Sequence, residues 1–148
     1  MAAHGLAERR ATLAKLGTIN AGRVFQGSVD DATIIPRDEE SGQVLAYTVI
    51  TFGAPVKTSR DRNLANGEKG QPHALPAMLS CIAGDPDAAQ LLMAEIFELL
   101  VDWAPSDSSD PWEAKGGYGA HRPATQNTPT RYIEGLFLET VVNQNIDA

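Results

Sequence analysis

The chain predicts an α+β fold: one domain over residues 1–148, in the order αβββαβ, with a mostly antiparallel sheet and helices packed on it. Three stretches carry this. Residues 43–53, QVLAYTVITFG, have the Val, Ile, Thr, Tyr and Phe content of a strand. Residues 80–103, SCIAGDPDAAQLLMAEIFELLVDW, pass from the end of a buried strand through a Gly84-Asp85-Pro86 turn into a long apolar helix. Residues 130–142, TRYIEGLFLETVV, return to strand composition.

The other elements follow in order. Residues 3–16 form a first helix of good helix formers, with Leu6, Leu13 and Leu16 sharing a face and Gly17 placed to stop it. Arg23-Val24-Phe25-Gln26 is a short strand between Gly22 and Gly27, followed by an acidic connection that turns at Ser41-Gly42. Gly53 and Pro55 end the 43–53 strand, and residues 54–72 have no period and several breakers, so they read as a long loop. Residues 73–83, HALPAMLSCIA, form the next strand, and Pro76 puts its early part at a sheet edge or bulge. The second helix, 86–103, starts with Asp85 as cap, Pro86 in its first turn and Asp87 against the dipole, and Pro105 stops it. Residues 104–129, rich in Ser, Asp, Gly and Pro, read as a second long loop.

The second helix is apolar over more of its circumference than a sheet requires. At about 100° per residue, Ala89, Leu92, Met93, Ile96, Leu99, Leu100 and Trp103 share one broad arc. Glu95, Glu98 and Asp102 lie opposite, with Leu91 among them, and Phe97, Val101 and Ala94 lie between. Either a loop covers Phe97 and Val101, or they meet another copy of the chain. The second reading makes Phe97, Val101, Leu91, Glu95 and Glu98 candidate subunit-interface residues.

The composition narrows the function. No run of about 18 apolar residues occurs, so no membrane span is expected, and the charged N-terminus MAAHGLAERRATLAK does not read as a signal peptide. Cys81 is the single cysteine, which excludes an intrachain disulfide and a multi-cysteine zinc site. The net charge of −7 opposes a general nucleic-acid binder. His4, His73 and His121 have no metal-ligand spacing. Cys81 reads as a core residue rather than a nucleophile served by His73 or His121, and GGYG at 116–119 as a flexible turn rather than a phosphate loop. No catalytic residue, metal or cofactor is expected. The 54–72 loop opposes the global charge, with Lys57, Arg60, Arg62 and Lys69 against Asp61 and Glu68, and is either a solvated loop or a contact for an acidic partner or a phosphate backbone. In the 104–129 loop, Trp112, Tyr118 and Arg122 are of interface hot-spot type.

The succession AGRVFQGSV, AYTVITFGAP and LPAMLSCIAGDPDAAQLLMAEIFELLVDWAP, within residues 5–142, resembles the tail-terminator (tail-completion) proteins of long-tailed bacteriophages, particularly those of actinobacteria. The resemblance implies a non-enzymatic virion protein that forms a ring, typically a hexamer, at the end of the tail tube. Such a ring caps the tube protein and joins it to the head–tail connector or stopper, with genomic DNA passing through without sequence recognition. It further implies assembly in the host cytoplasm and residence in the virion, with no membrane partner. The two long loops depart from the family pattern. The alternatives are another head–tail joining protein, a stopper or adaptor, and a small cytoplasmic α+β enzyme.

Overall fold

The computed structural model of the chain describes residues 5–27, 35–57, 62–63, 69–126 and 128–145. Helix α1 (Leu6–Leu16) leads through a 3-10 turn (Asn20–Gly22) to β1 (Val24–Gln26) and β2 (Tyr47–Phe52). There follow β3 (Val56–Lys57), β4 (Arg62–Asn63), β5 (Lys69–Ala83), α2 (Pro86–Leu100), β6 (Glu113–Arg122) and β7 (Arg131–Asn145). The seven strands form one sheet in the order β1-β2-β5-β7-β6, with β3 and β4 also on β5. Among the described strands only the β1–β2 pair is parallel. The α+β class and the mostly antiparallel sheet are as expected.

Both predicted long loops contain strands. Residues 54–72 hold β3, β4 and the first four residues of β5, which starts at Lys69 rather than at residue 73. Residues 104–129 hold the ten-residue β6, antiparallel to β7. Breakers hid both. The sequence EAKGGYGAHR has too many glycines to read as a strand, but an edge strand can take its order from its neighbour. A bulge between Ala114 and Gly116 absorbs the register shift.

At about 3.4 Å per residue, β5 and β7 each run roughly 50 Å. One edge of β5 meets β2, β3 and β4 in turn, and β7 fills the other from Gly70 to Ala83. Pro76 is therefore inside the sheet, just past the end of β2. Its carbonyl accepts from Gly53 N at 2.9 Å, and the reciprocal bond that a proline cannot donate is replaced by Arg9, whose Nη2 donates to Gly53 O at 2.8 Å.

Alternation sorts the two faces. Leu75, Ala77, Leu79 and Cys81 of β5 join Leu136, Leu138 and Val142 of β7 and Ile50 of β2 in one buried cluster. From above, α2 supplies Leu92, Ile96 and Leu100, and α1 supplies Leu16, so both helices cover the same face. Helix α2 starts as predicted, with the Asp85 side chain accepting from Asp87 N at 3.4 Å and Pro86 at the first position. It ends at Leu100, three residues before the predicted end. Val101 is extended and Asp102 takes the left-handed conformation at φ 67°.

Trp112 explains this early stop. Asp102 N donates to Trp112 O and Trp112 N donates to Trp103 O, both at 3.0 Å, so the chain after α2 pairs with the segment before β6. The Trp112 side chain is 0% exposed, and its indole N–H donates to Thr12 Oγ1 at 3.1 Å. The Thr12 hydroxyl donates to Glu8 O at 2.7 Å, and Ser106 Oγ donates to the Glu8 carboxylate at 2.8 Å. This network gives α1 a buried stripe of Glu8, Thr12 and Leu16 at four-residue spacing. It replaces the expected stripe of Leu6, Leu13 and Leu16: Leu6 is 39% exposed and Leu13 only half-buried.

Among the described residues, the opposite sheet face is covered at one end alone. There the segment after residue 35 brings Ile35 and Val44 onto Tyr47, Ile82 and Ile133. Toward the middle, Met78 and Phe137 face each other across β5 and β7 at 38% and 41% exposure.

Candidate functional site

The buried stripe of α2, Ala89, Leu92, Ile96 and Leu100, points at the sheet and leaves a broad outer face. On it, Leu91 is 71% exposed and Phe97 45%. Ala94 lies between them in the same i, i+3 row, so the three form an oblique apolar ridge, with Glu95 and Glu98 exposed beside it. Four of the five predicted interface residues, Phe97, Leu91, Glu95 and Glu98, thus sit together on the outside of one helix. Val101 does not join them. It lies beyond the helix end, half-buried against the core and bridged to Trp112, because the extended backbone turns it away from the helical face.

Three of the basic residues lie on strands at one end of the sheet. Lys57 is on β3 opposite His73, Arg62 is on β4 opposite Gly70, and Lys69 pairs with Asn63 at the start of β5. All three positions fall along the distal half of β5, away from α2, whose buried residues pack near Leu75–Cys81. Arg60 lies outside the described residues.

The three residues of the second predicted loop separate. Trp112 is core, with no surface left for a partner, which corrects its assignment as a contact residue. Tyr118 lies on the open sheet face, its ring over Gly135 and its hydroxyl 2.6 Å from Ser80 Oγ. A Cβ at residue 135 would come within 1.9 Å of the Tyr118 ring, so glycine there is what lets the ring lie flat. Arg122 is exposed at the end of β6, opposite Arg131. GGYG is part of β6 rather than a turn.

The residues considered for chemistry are held apart or occupied. His73 and Cys81 lie eight residues apart on β5, about 27 Å. His121 stacks on Tyr132 at 4.6 Å and shares a hydrogen bond with Thr130 Oγ1 at 2.8 Å. Burial pushes the Cys81 thiol up to about 12, Glu134 adds to the rise, and a hydrogen bond with Thr48 opposes it. The thiol is therefore protonated at neutral pH and is a poor nucleophile. Among the described residues no group of three His, Cys, Asp or Glu could hold a metal, and no helix is long and apolar enough to cross a membrane.

The Cys81 shift has a signed consequence. Above pH 9 the unfolded chain loses a thiol proton that the folded chain keeps, so the contribution is intact below pH 9 and declines up to pH 12. Relative to a Cys81→Ala variant, unfolding free energy is expected to fall by about 1.4 kcal/mol per pH unit across that window. Urea titrations of both proteins at pH 8, 9.5 and 10.5 check this, and parallel pH profiles would contradict it.

No family model matches the chain, and no curated protein sequence does. Among solved structures, the fold is similar to a chain of the "Virion of native gene transfer agent (GTA) particle". The two share 18% identity at a TM-score of 0.41, over 94% of this chain and 92% of that one. A likeness this distant assigns no role.

Met78 and Phe137 were not singled out from the sequence. A signal for Phe137 is nonetheless there: TRYIEGLFLETVV is apolar at odd and even positions alike, where a strand covered on one face alternates.

Proposed function

We propose that the protein is a structural virion component: a ring-forming tail terminator that ends the tail tube and joins it to the head–tail connector. The observation that carries this reading is the outer face of α2, where Leu91 is 71% exposed and Phe97 45% beside Glu95 and Glu98. An apolar ridge with an acidic margin on the best-defined helix fits a repeated subunit contact. A head-to-tail contact whose rotation closes makes a ring, and six copies is the number the sequence resemblance implies. The motifs within residues 5–142 that resemble tail-completion proteins support the same role.

In this reading Lys57, Arg60, Arg62 and Lys69 face the channel or an adjoining ring of the virion, and Tyr118 and Arg122 meet a neighbour. A ring repeats the basic cluster in every copy, so a small local excess becomes a girdle around passing DNA. Contact with that DNA is weak and independent of sequence. Assembly takes place in the host cytoplasm, with the tube protein on one side and the connector or stopper on the other.

The test is withdrawal of the chain during particle assembly. Electron micrographs are expected to show heads and tails that fail to join, with joining restored when the protein is supplied. Joined, infectious particles in its absence would overturn the role.

A further inference from the structure

We infer that the Leu91–Ala94–Phe97 ridge of one copy seats on the open sheet face of the next, across Met78, Phe137 and Tyr118. The inference rests on the ring reading and adds the acceptor surface that reading lacks.

Two of the exposed apolar surfaces among the described residues lie on opposite layers of the fold. Helix α2 turns its ridge away from the sheet, and the sheet turns Met78 and Phe137 away from both helices. One copy cannot bring them together. The acceptor is a formed platform: the Tyr118 ring is pinned between Gly135 and Ser80 and lies 5.5 Å from the Phe137 ring. Little side-chain freedom remains to be lost when a ridge packs on it.

Charge selects a copy of the chain as the occupant and the unlike pairing as the mode. From Pro86 to Leu100, α2 has no Lys or Arg, and it exposes Asp87, Glu95 and Glu98. Two such helices face to face would oppose like charges. The sheet platform instead ends at Arg122, opposite Arg131, on the same face as Tyr118 and Gly135. Its other end carries Glu139 opposite Glu113, the latter paired with Lys115 at 3.4 Å. This gradient directs the helix acids toward the arginine end and fixes the orientation of docking. Unlike surfaces on opposite layers give a heterologous contact, the kind that propagates around a ring.

Paired cysteine substitutions test this at exposed positions. Leu91→Cys chains are mixed with Met78→Cys chains, and Phe97→Cys chains with Phe137→Cys chains, then treated with a short bis-maleimide. Buried Cys81, its thiol pushed up to about 12, does not compete. Each mixture is expected to yield a covalent dimer, each variant alone none, and the Leu91→Cys/Met78→Cys double variant a ladder reaching the closed ring. Native mass spectrometry of the unmodified chain runs in parallel. A ring without these cross-links, or with Leu91→Cys joined to itself, would overturn the inference and leave the ring reading standing. An unmodified chain that stays monomeric would overturn both.

Discussion

Replacing Trp112 by Ala is expected to lower the unfolding free energy by about 3–5 kcal/mol, the cost of emptying the volume of a large buried aromatic. Trp112 is 0% exposed and touches three parts of the fold at once. Its indole donates to Thr12 of α1, its backbone bridges Val101 after α2, and it immediately precedes β6. Trp112→Phe keeps most of the apolar area and loses the hydrogen bond, so a smaller loss of about 1–3 kcal/mol is expected. Urea denaturation of the three proteins measures both. A Trp112→Ala loss below about 1 kcal/mol would contradict a structural role for this side chain.

Replacing Phe97 by Asp is expected to abolish assembly while leaving the fold nearly intact. Phe97 is 45% exposed and contributes little to the buried face of α2, so the expected change in unfolding free energy is within about 1 kcal/mol, mostly helix propensity. At a subunit contact the same change buries a carboxylate in an apolar seat and adds charge beside Glu98. Val101→Asp provides the contrast. That residue packs half-buried against the core, so its substitution is expected to reduce stability before it affects any contact. Sedimentation velocity for assembly and urea denaturation for folding separate the two effects. An assembled Phe97→Asp protein would remove α2 from the interface.

The elements readable in the sequence are those whose apolar pattern has one period. The start of α2 was legible because Asp85, Pro86 and Asp87 are local signals, and the structure has the Asp85 cap and Pro86 at the first position. Its end was not, because the stop comes from pairing between Asp102 and Trp112, ten residues apart, rather than from Pro105. Strand β6 was hidden for a related reason: its order is supplied by β7, and its glycines serve the bulge at Gly116 and the close approach of Gly117 to Gly135 O. Helix α1 misled through chemistry. A buried Glu8 and Thr12 read as surface residues until their partners, Ser106 and Trp112, are known to lie about a hundred residues away. In the candidate site, Leu91, Phe97, Glu95 and Glu98 were legible from helical spacing alone. Val101 was misplaced by the three-residue error in the helix end, and Met78 and Phe137 emerged only when the sheet assigned them to its uncovered side.

Assembly of this chain into a closed ring through surfaces on opposite layers is tested most directly by the native mass of the purified protein. One dominant closed species is expected, about 95 kDa for six copies of the 15.8 kDa chain, stable on dilution to micromolar concentration. A single species at 15.8 kDa under the same conditions would contradict it.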